Sequence, residues 1–386
     1  MLLGFKTQLK LNSKQRTLLA QHAGTARHAW NQSLALCKEV MNHNRTNSED
    51  KIKFPTAIDL HKWLVASIKP TFPWYYEVSK CAPQYALRAL ADAFKCFFKK
   101  TKGFPKFKKK GRNDSFTLDG SIHLAHRKAK VPVIGWLKTY ERLPQGIKPK
   151  SVTISRQADR WFISFKIEVE ITNTSKPVDF VGVDLGITHL ATLSTGEVFD
   201  GARSYKLSES KLARMQWLNR HKQIGSANHK KASLKVARLH RKIGNVRKDT
   251  LHKITTHISK NHAVIGIEDL NVSGMIANRK LSASIADMGF YEFRRQLEYK
   301  TELYGSRLII VDRFYPSSKT CSCCGIKKES LSLSERIFNC EHCGFECDRD
   351  LNASLNLEKA ARSVVSACGL DSADTSRLKQ EDVSNC

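Results

Sequence analysis

The chain has 386 residues, 41% hydrophobic and 26% charged, the proportions of a soluble globular protein long enough for two or three domains. Lys and Arg number 65 against 36 Asp and Glu, a formal charge of +29, and a field of that sign calls for a polyanionic partner. No apolar run approaches the roughly 18 residues of a membrane span and the start lacks a signal-peptide core, so a cytoplasmic protein with reduced or metal-bound cysteines is expected.

Residues 4–11 alternate as a short strand. Asn12 and Gln15 make a capping pair for a helix starting near Ser13. Gly24 is expected to end it, and a second helix then carries Ala26, Trp30, Leu34, Cys37 and Met41 on one face. Two short helices joined at a glycine are either a DNA-reading helix-turn-helix or a hairpin in a larger bundle. Residues 42–55 read as loop. An amphipathic helix from about Gln84 to Lys100 places Leu87, Leu90, Phe94 and Phe97 inward.

From Lys95 to Arg112 there are nine Lys/Arg and no acid. Gly103, Pro105 and Gly111 keep this run from being helical. Lys99, Lys100, Lys102, Lys106, Lys108, Lys109, Lys110 and Arg112 are candidate phosphate contacts, with Phe104 and Phe107 available to stack on bases. The bland alternative is a solvated charged loop. Residues 115–171 read as strands of a small β domain, the last two a hairpin turning near Ala158 and Asp159. Residues 175–177 read as a linker.

Beyond it, 178–200 reads as a three-strand meander. Residues 203–260 hold sixteen Lys/Arg against only Glu209 and Asp249, and predict an antiparallel helical pair with basic outer faces, Lys248 among the candidate nucleic-acid contacts. A strand follows at 262–270, a helix at about 288–304 with Phe293, Leu297 and Tyr304 inward, a strand at 306–314, and a last helix opening in DRDLNASLNLEKAAR. The tail beyond 363 is polar, aperiodic and expected to be disordered.

The firmest chemical signal is Cys321 and Cys324, then Cys340 and Cys343, each pair followed by a glycine. Two such pairs form a tetrahedral thiolate site for Zn²⁺, with no open position and hence a structural role. Disulfides or unliganded thiols are the alternatives; Cys323 and His342 are competing ligands whose spacing fits a knuckle less well, and Cys347 is a further spare. The second signal is three acids: Asp184 within the apolar VGVDLGI, Glu268 at the end of VIGIEDL, and Asp350 at the start of the last helix. A carboxylate in an apolar strand is costly unless paired. Three converging on a sheet edge suit Mg²⁺ or Mn²⁺ and phosphodiester hydrolysis; a satisfied salt bridge is the alternative for any one of them. Asp269 and Asp348 are neighbouring acids expected to point elsewhere. There is no phosphate-binding glycine loop and no H-E-x-x-H. No two of the fourteen histidines are one residue apart, which argues against a tyrosine nuclease built on a His-hydrophobic-His pair.

FPKFKKKG, VGVDLGI, RKDTLHKIT, IEDLNVSGM, YPSSKTCSCCG, FNCEHCG and DRDLNASLNL together resemble the TnpB/OrfB family of insertion-sequence proteins, relatives of the compact type V CRISPR effectors. The resemblance runs from the first strand to about residue 362. It implies an α+β multidomain protein: a helical recognition lobe, a small β-barrel-like wedge domain, and an RNase H-like (RuvC) α/β nuclease domain with an inserted zinc ribbon. Mapped onto this chain, 1–11 and 103–175 form the wedge and 12–102 the helix-turn-helix-like lobe. Residues 176–314 and 346–362 form the nuclease, 315–345 the ribbon and 363–386 a disordered tail. The implied activity is RNA-guided DNA cleavage by Asp184, Glu268 and Asp350 with Mg²⁺ or Mn²⁺. The implied partners are a guide RNA from the element's end and a double-stranded target beside a short motif, with one protein per RNA. The guided reading rests on the resemblance alone. The alternatives are a transposase or transposition accessory acting without a guide, and a non-enzymatic nucleic-acid-binding protein.

Overall fold

The computed structural model describes residues 1–47, 49–332 and 335–367. The chain divides into two units, Leu2–Val169 and a second from Glu170 onward.

In the first unit, apolar residues at every second position build an antiparallel sheet around the N-terminal strand. Strand β1 (Leu2–Lys10) pairs along most of its length with β7 (Arg160–Glu168) and then, at Leu9 and Lys10, with β5 (Gly135–Thr139). With β2 (Ser115–Asp119), β3 (His123–Ala125), β4 (Lys128–Val131) and β6 (Ser151–Gln157), the order is β2-β6-β7-β1-β5-β4-β3. The β6–β7 turn falls at Ala158 and Asp159, with Ala158 at φ 54°.

Helix α1 spans Ser13–Thr46 without a break. Its start is the expected capping box: Asn12 Oδ1 accepts from Gln15 N at 2.8 Å and Gln15 Oε1 from Asn12 N at 3.2 Å. Gly24 does not end it. A mid-helix glycine costs about 1 kcal/mol, but Leu19, His22 and Ala23 before it and Ala26, Ala29 and Trp30 after it are all buried on one core, and that packing outweighs the local penalty. The two-helix reading of 13–46 is therefore corrected to one helix. Helix α2 (Ala57–Trp63), capped by Thr56 and Asp59, has no counterpart in the sequence reading, although T-x-x-D is a start signal. Helix α3 (Cys81–Phe98) buries Leu87, Leu90 and Phe94. Helices and sheet share one hydrophobic core, from Leu9 to Phe165.

The second unit is built on a five-stranded sheet, order β10-β9-β8-β11-β12, from β8 (Val178–Asp184), β9 (Ala191–Leu193), β10 (Val198–Phe199), β11 (His262–Glu268) and β12 (Arg307–Val311). The first three form the antiparallel meander, and β8, β11 and β12 run parallel. Helices α4 (Glu209–Arg220) and α5 (Ala227–Asn261) make the basic pair. The short α6 (Val272–Ala277) and α7 (Ser282–Met288) precede α8 (Phe290–Tyr304), and neither has a counterpart in the sequence reading, although Asn271 caps α6 by accepting from Gly274 N. Residues 172 and 174 already bond to the end of α8, through Thr172 N to Leu303 O at 2.9 Å and Thr174 N to Tyr304 O at 3.5 Å. A small hairpin of β13 (Ile337–Asn339) and β14 (Glu346–Asp348) leads into α9 (Arg349–Ala367). Residues 363–367 are thus helical, and the rest of the expected disordered tail, 368–386 with Cys368 and Cys386, lies outside the described residues.

Candidate active site and cysteine cluster

Asp184 is the last residue of β8 rather than its middle, and Glu268 is the last of β11. These strands are parallel neighbours in register, Gly182 opposite Gly266 and Val183 opposite Ile267, so the two acids end their strands side by side. Side chains alternate across a strand. Gly182 and Asp184 therefore share one face, as do Gly266 and Glu268. That face carries α9. A methyl on Gly182 would run into the Ser354 carbonyl and the Glu358 amide. One on Gly266 would lie 2.8 Å from the Leu357 carbonyl oxygen and 2.9 Å from the Ala361 methyl. The glycine pair lets α9 lie against the sheet at backbone distance, and Asp350, one turn before Ser354, comes down beside the strand ends.

The electrostatics report the convergence. Burial, reinforced by Asp350 and then Glu268, pushes the Asp184 carboxyl up to about 7. Burial and the adjacent Asp269 push Glu268 above the usual carboxylate range. Asp350 is 15% exposed and has Arg349 at 3.3 Å. The neighbouring acids are committed elsewhere. Asp269 is clamped by Arg294 and Arg313, and those hydrogen bonds hold it below its ordinary value. Asp348 Oδ1 accepts from Asp350 N at 2.9 Å and Leu351 N at 3.1 Å, capping α9. The three candidates are thus the acids left without a committed cationic clamp, apart from the contact of Arg349 with Asp350. Crowded, partly desolvated hard oxygens of this kind fit a divalent cation.

The four cysteines come together as a set. Among the described residues, theirs is the group of His, Cys, Asp or Glu ligand atoms that all lie within 4.8 Å of one another. Cys321 Sγ is 3.7 Å from Cys343 Sγ, and Cys324 Sγ is 3.7 Å from Cys340 Sγ. A tetrahedron of sulfurs about 2.3 Å from a central ion has edges of about 3.8 Å. Each pair forms a tight turn: Gly325 N donates to Cys321 O and Gly344 N to Cys340 O, both at 2.9 Å, with both glycines in the left-handed region. Backbone N–H groups of Cys343 and His342 face Cys340 and hold its thiol down at about 6. Cys347 Sγ bonds to Asp348 O, and neither Cys347 nor Cys323 is among the four clustered sulfurs.

Two residues that sequence reasoning missed join these sites. Asn352 and Asn356, both buried, lie one turn apart on α9. Asn352 Oδ1 accepts from Ser322 N at 2.9 Å, and its Nδ2 donates to Thr320 O at 2.7 Å. Asn356 Nδ2 donates to Ser317 O at 2.8 Å and Thr320 O at 2.6 Å. The helix that carries Asp350 therefore also holds the first cysteine turn. The signal was available: asparagine is a poor mid-helix residue, and two spaced by four on the face that carries Ala353, Leu357 and Ala361 call for partners.

All nine candidate basic residues, Lys99, Lys100, Lys102, Lys106, Lys108, Lys109, Lys110, Arg112 and Lys248, are exposed. The basic run is tied to α1 by its backbone: Trp30 Nε1 donates to Lys106 O at 3.1 Å, and Asn31 bonds Lys108 both ways, at 3.0 and 2.8 Å. Lys108 lays its ammonium 3.9 Å from the Trp30 ring, where burial lowers its pKa, and the other lysine side chains of the run are exposed. Phe104 is corrected: its ring meets Phe94 and Phe97 edge-on at 5.6 and 5.1 Å, so it is core and not a stacking platform. Phe107 is 47% exposed, with the Lys38 ammonium 4.9 Å from its ring.

Among the described residues no helix is long and apolar enough to cross a membrane. Three families match: "Probable transposase" over residues 163–279, "Cas12f1-like, TNB domain" over 290–357, and "Helix-turn-helix domain" over 1–46. The last covers β1 and the single helix α1. The chain is 36% identical over 397 residues to the "Putative RNA-guided DNA endonuclease InsQ" of Escherichia coli K12, covering 98% of this chain and 96% of that protein. It is 41% identical over 303 residues to a Streptomyces pristinaespiralis protein named "Putative RNA-guided DNA endonuclease", covering 76% and 74%. A Cas12f1 chain solved in complex with sgRNA and target DNA matches its fold, with a TM-score of 0.55, 16% identity, and coverage of 90% of this chain and 83% of that one.

Proposed function

Because the chain belongs to the TnpB/OrfB family, we propose that it is an RNA-guided, metal-dependent DNA endonuclease of an insertion sequence, working in the prokaryotic cytosol or nucleoid. The observation that carries this reading is the convergence of Asp184, Glu268 and Asp350 at the ends of two parallel strands and the first turn of the packed helix. Asp184 and Glu268 hold Mg²⁺ or Mn²⁺, and Asp350 completes the set. A divalent cation held by these carboxylates would supply water activation and charge neutralisation on a phosphodiester. Burial keeps Asp184 and Glu268 poor at holding charge alone, which favours cation binding over an empty anionic cluster. The Arg294 and Arg313 clamp keeps Asp269 from competing. Cys321, Cys324, Cys340 and Cys343 hold a structural Zn²⁺ that stiffens the segment tied to α9.

The guide RNA and its DNA target form a heteroduplex that the protein reads by shape and phosphates, while base pairing supplies sequence. The exposed lysines of 99–112 and Lys248 have the charge for that contact. The test is to purify the protein from cells carrying its own locus and sequence the RNA that comes with it. One dominant RNA ending in sequence outside the element is expected, and a target matching its end should be cut only with divalent metal. A random mixture, or cutting that ignores the RNA, would overturn guidance and leave a guide-free transposase or accessory.

A further inference from the structure

Five residues of the first unit's sheet share one outward face across three strands. Lys10 of β1 lies opposite Lys138 of β5, and Lys138 lies opposite Lys128 of β4. Two residues along, Trp136 lies opposite Lys130. The alternate positions Ala129, Val131 and Leu137 are buried, so Lys128, Lys130, Trp136 and Lys138 all stand on the solvent side. Like charges directly opposite one another destabilise a sheet. Among the described residues none of these lysines has an acidic partner. Three lysines in line across neighbouring strands repel one another, and among the described residues no ion pair offsets that cost.

Beside the row lies an open cavity of about 710 Å³, lined by Lys10, Lys128, Lys138, Trp136, the α1 cap Asn12 and Gln15 of its first turn. Trp136 is 46% exposed. Gln15 Nε2 donates to Trp136 O at 3.0 Å and so fixes the backbone under the ring. The start of α1, a 34-residue helix with a complete capping box, adds its positive end to the same cavity. A flat aromatic face beside a line of cations matches the chemistry of an unpaired nucleotide: a base to stack and flanking phosphates to neutralise.

We infer that the Trp136 face is a nucleic-acid subsite that takes an unpaired nucleotide, its base on Trp136 and its flanking phosphates along Lys10, Lys138 and Lys128. This rests on the reading of the chain as a nucleic-acid enzyme and adds a contact outside both the carboxylate site and the basic run at 95–112. The ladder survives because the bound phosphates remove the repulsion. RNA and DNA strands both carry this chemistry, and binding of each is measured.

The experiment uses the full chain, stripped of nucleic acid in high salt. Fluorescence anisotropy then gives Kd for labelled single-stranded RNA, single-stranded DNA and a DNA duplex across a salt series. Two variants are compared with the wild type: Trp136→Ala, and the triple Lys10→Thr, Lys128→Thr, Lys138→Thr. Threonine suits a strand and relieves the repulsion, so the triple variant should melt at or above the wild-type temperature. Trp136→Ala is expected to raise the single-strand Kd by about five- to 150-fold, with a smaller effect on the duplex. The triple variant should flatten the salt slope for single strands by about 2. The arm showing the loss, RNA or DNA, identifies the occupant, and equal losses mean the site accepts both. Wild-type Kd and salt slope in both variants overturn the inference, as does a loss confined to the duplex. A wild type that cuts its target under guidance while both variants bind normally sinks this subsite alone. Ladder-dependent binding by a protein that never cuts under guidance sinks the nuclease reading alone.

Discussion

Glu268 and Asp269 are consecutive acids at the same strand end, yet they have opposite environments. Glu268 is raised by burial, whereas Asp269 is held down by two arginines. Glu268→Gln should abolish cleavage and leave melting nearly unchanged. Asp269→Asn should retain the carboxylate centre but cost about 1–3 kcal/mol, because it weakens two charge-assisted bonds. Thermal melting and a cleavage assay on both variants check the pair. Asp184 gives a pH signature. Its folded-state value near 7 lies above the ordinary 3.8, so in metal-free protein the folded form holds a proton that the unfolded form releases. The contribution of Asp184 to stability is then greatest below about pH 4 and is lost as pH rises through about 7, an amount on the order of a few kcal/mol. Asp184→Asn should flatten that fall in melts run with EDTA, while removing cleavage in metal. A wild-type melting temperature that is level across this window would contradict the environment assigned to Asp184.

At the scale of elements, α9 is the piece on which both candidate centres depend. Its backbone lies on Gly182 and Gly266, its first turn carries Asp350, and its second and third turns grip 317–322 through Asn352 and Asn356. Gly182→Ala places a methyl inside the Ser354–Glu358 backbone, and the helix must lift. A loss of at least 1–3 kcal/mol is expected, with cleavage lost as well, although no acid has been changed. Asn356→Leu removes two bonds to buried carbonyls and should cost about 2–4 kcal/mol, with faster zinc loss to a chelator. Zinc release followed with a colorimetric indicator separates it from Gly182→Ala, which leaves those asparagine bonds unchanged in chemistry.

At the scale of the molecule, the two units have separate hydrophobic cores, one within residues 9–165 and the others within 181–365. Calorimetry should resolve two transitions. Stripping zinc, or Cys324→Ser, should lower one of them and leave the other in place, since all four cysteines lie in the second unit. A shift of both by the same amount would mean that the units do not melt independently. By itself the sequence determined whatever has a local cause. The charge demanded a polyanion, alternation and capping placed β1 and the start of α1, and the cysteine spacing announced a thiolate set. Asp184 and Glu268 stood out because carboxylates in apolar strands are expensive, and Asp350 because it opens the last helix. Tertiary structure decided what depends on partners distant in sequence. Gly24 stays helical because the core on both sides of it outweighs one residue's propensity. Phe104 turns inward because Phe94 and Phe97 are waiting for it. The lysine row exists only once β1, β5 and β4 are paired: residues 10, 128 and 138 are unremarkable in the chain and become neighbours only through strand register.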